Sequence, residues 1–198
     1  RYEILKAARE NRLLSDLRMV QPLIRALGDN YTEVAGLAYE VLEELGPALA
    51  PVLQKSLDFG GGRASARILD LLSGFRGSAG KDLYLEALDK GSLPVKVSAL
   101  KALKDVPECE DVLFQYASDS KKELREAAYL ALAAYSDERA EAILSGALKG
   151  KDREIAKAAI LQYPTKHLAK LLLAETGQAV AALLDKGWQA YQDLLKKV

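Results

Sequence analysis

The residues best suited to chemistry are each present only once: the chain has one histidine, His167, and one cysteine, Cys109. A metal site or an acid–base pair on a helical array needs histidines and carboxylates clustered together, and His167 has no such pair nearby. Cys109 lies among Glu108, Glu110 and Asp111, whose negative charges raise the pKa of a thiol and weaken it as a nucleophile. The sequence therefore predicts no catalytic constellation, no metal site and no cofactor, so the chain is expected not to be an enzyme.

A second candidate for chemistry is the glycine-rich stretch 74–81, GFRGSAGK, which superficially looks like a phosphate-binding loop. The pattern GxxxxGK[ST] fails, because the glycine spacing is wrong and Asp82 stands where a serine or threonine must meet magnesium. No strand precedes the stretch either. The run Gly60-Gly61-Gly62 is typical of a flexible turn. Both stretches are predicted to be connections between helices.

The charge balance bounds the class of partner. Lys and Arg total 28, and Asp and Glu also total 28, which argues against a generic polyanion binder. A local basic cluster surrounds two turns, but acidic residues interleave it: Lys121, Lys122, Arg125, Lys151, Arg153 and Lys157 alternate with Glu123, Glu126, Asp152 and Glu154. We therefore expect no nucleic-acid partner.

A single cysteine excludes an internal disulfide and fits a reducing compartment, which predicts a cytoplasmic location. No apolar run approaches the roughly 18–20 residues of a membrane span.

Apolar residues recur in columns at a period near 30 residues, which indicates an array of repeats. The reference column is Leu27, Leu57, Leu88, Ala117 and Leu148, and the column one turn earlier is Leu23, Leu53, Tyr84, Leu113 and Leu144. Eleven residues after the reference comes the column Ala38, Ile68, Ala99, Ala128 and Ala159, flanked four residues earlier by Val34, Ala64, Val95, Leu124 and Ile155, and four residues later by Leu42, Leu72, Leu103, Leu132 and Tyr163. The constant offset of eleven predicts a helix–turn–helix unit, with length changes confined to the connections between units.

The predicted organisation is one repeat domain over residues 1–198. It comprises a partial repeat at 1–13, repeats at about 14–45, 46–76, 77–107, 108–136 and 137–164, and an irregular C-terminal cap at 165–198. Residues 4–8 match a second helix, so the chain is expected to start halfway through a unit and to be a segment of a longer protein. In the cap, Trp188, Tyr191 and Leu195 are predicted to close the core, or alternatively to bind a partner. Pro22, Pro51 and Pro94 are predicted to start or kink helices.

Residues 120–134, SKKELREAAYLALAA, are the best copy of the second helix. A capping box is predicted at its start, in which Ser120 accepts from the backbone of Glu123 and Glu123 reaches back to the backbone of Ser120. Arg125 is expected to form a structural pair with Asp119.

The unit resembles the HEAT repeat family, in the short form that bacterial lyase-like HEAT proteins also contain. The residues that carry the resemblance are the second-helix runs at 34–38, 95–99 and 124–128, VAGLA, VKVSA and LREAA. The family pattern favours Asp in the turn within the hairpin and Arg early in the second helix, and only Asp119 and Arg125 match both. The resemblance implies an all-α fold, a right-handed α-α superhelix of about six helical hairpins in a HEAT-like or ARM-like solenoid.

One column lies at the flank of the buried arc of each second helix, and every member is apolar or aromatic: Tyr39, Leu69, Leu100, Tyr129 and Ile160. Two interpretations stay open. The column packs between repeats, or it forms a hydrophobic ridge that receives a partner peptide or helix.

The face expected to be concave carries Glu40, Glu43, Asp70, Lys101, Lys104, Glu126, Leu130, Lys157 and Leu161. It runs from acidic through basic to partly apolar, and it is either an ordinary solvated face or a graded groove. We predict a non-catalytic protein–protein interaction scaffold that binds a protein partner there, with the candidate residues Tyr39, Glu40, Asp70, Lys101, Lys104, Glu126, Tyr129, Leu130 and Lys157. The alternatives are a lyase-like HEAT protein that binds a small chromophore or cofactor and, less favoured, a HEAT-like nucleic-acid-binding protein.

Overall fold

The structure, a computed structural model, describes residues 1–135, 137–163, 168–170, 172–174, 177, 185–186 and 189. Within these residues every regular element is helical. The α-helices are α1 (Tyr2–Glu10), α2 (Val20–Ala26), α3 (Thr32–Leu45), α4 (Ala50–Ser56), α5 (Arg63–Arg76), α6 (Lys81–Lys90), α7 (Leu93–Ala102), α8 (Glu110–Tyr116), α9 (Lys122–Ala133), α10 (Glu138–Leu148) and α11 (Arg153–Gln162). No helix of this part of the chain is both long and apolar enough to span a bilayer.

The helices form a solenoid of antiparallel hairpins. Helices α2, α4, α6, α8 and α10 each pack against the helix that follows, and α1, α3, α5, α7, α9 and α11 pack on one another in succession. The first helices thus form one layer and the second helices another. This arrangement confirms the all-α solenoid that the periodic columns predict.

Short 3-10 turns lead into four of the five first helices: Leu17–Met19, Pro47–Leu49, Gly77–Gly80 and Pro107–Cys109. Two of the connections need glycine, because Gly46 and Gly77 adopt φ angles of 83° and 50°, which side chains with a Cβ rarely tolerate. Pro22, Pro51 and Pro94 all lie in the first turn of a helix, where the missing N–H costs no hydrogen bond.

The periodic columns build the core. Leu23, Leu53, Tyr84, Leu113 and Leu144 are fully buried on the first helices. Opposite them lies the buried column of small side chains on the second helices, whose alanines at 38, 99, 128 and 159 let neighbouring helices approach closely. Since these columns come from every unit, they merge into one continuous hydrophobic cluster.

The capping box predicted at the start of α9 is wrong. Helix α9 begins at Lys122, and its N-cap residue, Lys121, makes no side-chain capping bond. Instead, Asp119 Oδ1 accepts from the backbone N–H of Lys121 at 2.7 Å. An Asx turn therefore ends the hairpin loop here, because the aspartate side chain accepts a hydrogen bond from the backbone two residues further along the chain.

The predicted C-terminal cap at 165–198 falls mostly outside the described residues, as do His167, Trp188, Tyr191 and Leu195. Leu168, which the structure does describe, is buried and joins the hydrophobic cluster. The repeat boundaries and the irregular cap stay predictions.

Candidate functional site

A groove runs across the layer of second helices, over α5, α7, α9 and α11. Its volume is about 550 Å³. It is lined by Ala66, Leu93, Pro94, Val97, Ser98, Lys101, Glu123, Glu126, Ala127, Leu130, Ile155, Ala158, Ala159 and Gln162. The groove lies on the face that the sequence predicts to be concave, and it contains Lys101, Glu126 and Leu130 of the candidate residues.

The surface of the groove is largely apolar because alanines and β-branched residues face it from three consecutive helices. Leu130 is half-buried at one wall. Leu161 occupies the same position on the next second helix, and it is 62% exposed. An exposed leucine beside a half-buried one leaves apolar surface that a partner can cover.

Charged side chains border this apolar surface. Lys101 lies on α7, Glu123 and Glu126 on α9, and Lys157 on α11, and all four are exposed. Within the described part of the chain, no ion pair engages Glu126 or Lys157. Since these charges alternate in sign from helix to helix, the border offers a pattern of positive and negative positions to a partner.

Asp70 and Tyr39 lie nearer the N-terminal end of the same face, and both are half-buried. Burial raises the pKa of Asp70, while the Ser98 hydroxyl and the positive charge of Lys101 partly oppose that rise. Burial also raises the pKa of Tyr39 to about 12, and the nearby Asp70 adds to the effect. The Tyr39 phenol therefore stays neutral throughout the physiological range.

The remaining candidate residues do not line the groove. Glu40 bonds Arg9 at 2.7 Å and borders a separate hollow of about 570 Å³ between α1 and α3. The Lys104 ammonium lies 3.3 Å from the hydroxyl of Tyr163. Tyr129 is only 5% exposed, and its hydroxyl lies 3.1 Å from the carbonyl oxygen of Ala117 and 3.3 Å from Asp152 Oδ2. Tyr129 is thus a packing residue with a satisfied hydroxyl.

The flank column packs between repeats. Leu69, Leu100, Tyr129 and Ile160 are buried, and only Tyr39 is half-buried. Of the two interpretations of this column, the structure therefore favours inter-repeat packing over a hydrophobic ridge. The exposed apolar surface lies one residue further along the second helices, at Leu130 and Leu161.

A buried ion pair links the hairpin of α8 and α9 to the hairpin of α10 and α11. The sequence predicted the wrong carboxylate for it. Arg125 on α9 donates from Nε and Nη2 to the two carboxylate oxygens of Asp152, each at 2.8 Å, and the two side chains are only 9% and 10% exposed. The expected partner, Asp119, contributes its backbone carbonyl, which accepts from Arg125 Nη1 at 2.9 Å. The hydrogen bonds from Arg125 hold the pKa of Asp152 below its usual range. This ion pair joins one repeat to the next. It also neutralises one charge of the basic cluster at these turns, that of Arg125.

The described residues hold no cluster of three or more potential metal ligands. Cys109 is buried, and burial raises the pKa of its thiol. The sequence argument against a nucleophilic cysteine is therefore reinforced by desolvation of the thiolate.

Comparison with known proteins matches part of this chain to one family of repeats. Residues 82–163 match the family model described as HEAT repeats. No curated protein matches the sequence. Among solved structures, the chain is similar to one from the complex of CpcE and CpcF of phycocyanin lyase from Nostoc sp. PCC7120, at 20% identity and a TM-score of 0.61, over 76% of this chain and 100% of that one. At this identity the likeness establishes the fold alone.

Proposed function

We propose that this chain, in which residues 82–163 match HEAT repeats, is a non-catalytic interaction module whose groove over α7, α9 and α11 binds a helical segment of a partner protein. Stacked helical repeats suit such a role, because they generate a long continuous surface from small local units. The observation that supports the proposal is the groove itself, which combines an open apolar floor with the exposed charges of Glu126 and Lys157, neither of which forms an ion pair within the described residues.

The chemistry of the groove defines the segment that fits. An amphipathic helix can lay an apolar stripe into the groove, with anchors spaced three and four residues apart that contact Leu130 and Leu161. An acidic side chain at one edge of that helix would meet Lys101. A basic side chain at the other edge would meet Glu126, so that the charges select the orientation of the bound helix.

The N-terminal part of the concave face, at Glu40 and Asp70, contributes less to partner recognition than the charge gradient in the sequence suggests. Glu40 is already bonded by Arg9, and burial raises the pKa of Asp70. We therefore assign partner recognition to the part of the face from Lys101 to Leu161. Among the candidate residues, Lys101, Glu126, Leu130 and Lys157 belong to this proposal.

A selection from a displayed library of helical peptides on the immobilised chain, followed by affinity measurement on the winning peptides, tests this proposal. Lys101→Glu and Leu161→Asp are each expected to weaken binding about tenfold or more, since about 1.4 kcal/mol is a factor of ten. Lys55→Glu on α4 is the matched control, because it makes the same charge change on an exposed residue of the first-helix layer. Equal affinities for Lys101→Glu, Lys55→Glu and the wild-type chain would contradict the proposal.

The likeness to the CpcE–CpcF complex supports a second candidate function, a lyase-like role in which the concave face holds a small chromophore. A cofactor site is usually an enclosed pocket with a few convergent polar groups. The groove is open, and its polar side chains stand at its border, so the protein-binding function fits it better. Saturable binding of a small chromophore that Leu161→Asp abolishes, with no peptide enriched in the selection, would favour the second candidate.

A further inference from the structure

Two carboxyl groups meet where the hairpin of α8 and α9 joins the hairpin of α10 and α11. Glu110 is the first residue of α8, and Asp137 is the N-cap residue of α10. Asp137 Oδ1 accepts from the backbone N–H groups of Arg139 and Ala140, at 2.7 Å and 3.2 Å. The cap therefore occupies one oxygen of Asp137 and leaves the other directed elsewhere.

The second oxygen of Asp137, Oδ2, is buried and has no hydrogen-bond donor among the described residues, and the same holds for Oε1 of Glu110. The ion pair of Arg139 with Asp111, at 2.8 Å, holds the start of α10 against the start of α8. The side-chain hydrogen bond between Glu110 and Asp137 raises the pKa of Glu110 and lowers that of Asp137. Ionised carboxylates only accept hydrogen bonds, so two ionised groups in this arrangement would leave both buried oxygens unsatisfied and repelling. A proton between them satisfies both oxygens at once.

We propose that Glu110 and Asp137 share one proton and so form a proton-operated latch between these two hairpins. The proton resides on Glu110, because two backbone N–H groups stabilise Asp137 as an anion. Protonated Glu110 then donates to Asp137 Oδ2. This latch does not depend on the proposed binding function.

The surrounding groups support the same assignment. The hydrogen bond to Asp137, burial and the charges of Asp137 and Asp111 together raise the pKa of Glu110 to about 7, while Arg139 opposes the rise. Arg139 is itself engaged, since it bonds Asp111 at 2.8 Å and lies 4.1 Å from the ring of Phe114. On the side of the preceding helix, burial raises the pKa of Tyr135 to about 12 and also raises that of Cys109, so both groups are neutral when Glu110 titrates.

The direction of the effect follows from the pKa of Glu110. A carboxyl whose pKa is higher in the folded than in the unfolded state stabilises the fold below its unfolded pKa, near 4.3. That contribution is lost as the pH rises through the folded value of about 7. The hydrogen bond from protonated Glu110 to Asp137 is therefore present in mild acid and lost in mild base.

Thermal unfolding at pH 5.5 and pH 8.5 tests the latch. The wild-type chain is expected to melt several degrees lower at pH 8.5. Glu110→Gln should melt at nearly the same temperature at both pH values, because the amide N–H donates to Asp137 at any pH. Glu138→Gln, which neutralises an exposed carboxyl in the first turn of α10, should retain the wild-type difference.

The carbon-13 signal of the Glu110 carboxyl provides a second readout on the wild-type protein. Its titration midpoint is expected near pH 7. A midpoint near pH 4.3, or a Glu110→Gln variant that keeps the wild-type difference in melting temperature, would overturn the proposal.

Discussion

Replacing Asp152 by asparagine isolates the contribution to stability of the buried ion pair between Arg125 and Asp152, which joins α9 to the last hairpin. The wild-type carboxylate accepts two hydrogen bonds from Arg125, each at 2.8 Å, in a site where both side chains are about nine-tenths buried. Asparagine keeps the shape but replaces one acceptor by an N–H donor that points at a guanidinium donor. The substitution therefore leaves a buried positive charge without its counter-charge.

The size of the effect follows from this geometry. Removing one partner of a buried ion pair costs about 3–5 kcal/mol. Asp152→Asn is expected at the lower end, about 3 kcal/mol, because the remaining oxygen still accepts one hydrogen bond. For a chain of this length, that loss lowers the melting temperature by about 6–12 °C.

Urea denaturation and thermal melting measure the loss, and an exposed ion pair of the same length provides the control. Arg139 and Asp111 also lie 2.8 Å apart, but their side chains are 65% and 80% exposed, so Asp111→Asn should leave stability almost unchanged. The pKa of Asp152 is lowered in the folded state, so its stabilisation is present above about pH 4 and is lost in stronger acid. The difference between Asp152→Asn and the wild-type chain should therefore shrink below about pH 4. Equal losses for Asp152→Asn and Asp111→Asn would refute the reasoning that burial decides the value of the pair.

Two further predictions concern packing between repeats. Tyr135→Phe should lower the free energy of unfolding by about 1–2 kcal/mol in urea denaturation, because the hydroxyl lies 2.6 Å and 2.8 Å from the carbonyl oxygens of Leu103 and Val106 in the preceding repeat. An unchanged value would mean that water satisfies those carbonyls equally well. Leu100→Ala should cost about 2–5 kcal/mol, because the side chain is fully buried, whereas Leu161→Ala should leave stability nearly unchanged. Similar losses for the two leucine variants would contradict the exposure of Leu161 beside the groove.

The helical hairpins and their core were predictable from sequence because the same physical requirement recurs in each repeat. An apolar side chain must face the partner helix, and a small one must stand where two helices meet, so the periodic columns specify the packing. The flank of each second helix was harder to predict. The angle by which each repeat rotates relative to the preceding repeat decides whether a neighbouring helix covers a side chain, as at Tyr129, or leaves it exposed, as at Leu161. The type of a single residue does not reveal that angle.

The polar contacts between repeats could not be located from spacing alone. Arg125 is near Asp119 in sequence, yet its carboxylate partner is Asp152, one repeat later, because the stacking of hairpins brings that turn over α9. Glu110 and Asp137 have the same separation in sequence as Arg125 and Asp152. Nothing in their residue types distinguishes two carboxyls in solvent from two that face each other, so only the fold reveals the shared proton.

The position of a bound partner on the surface tests the central claim most directly. Methyl groups provide the probe, because one exposed leucine, Leu161, adjoins the groove residue Gln162, and another, Leu17, lies in the N-terminal part of the chain. On addition of a selected helical peptide, the methyl signals of Leu130 and Leu161 should shift in NMR spectra, while that of Leu17 should not. Shifts confined to Leu17 and the N-terminal helices, with Leu130 and Leu161 unchanged, would contradict a binding site in this groove.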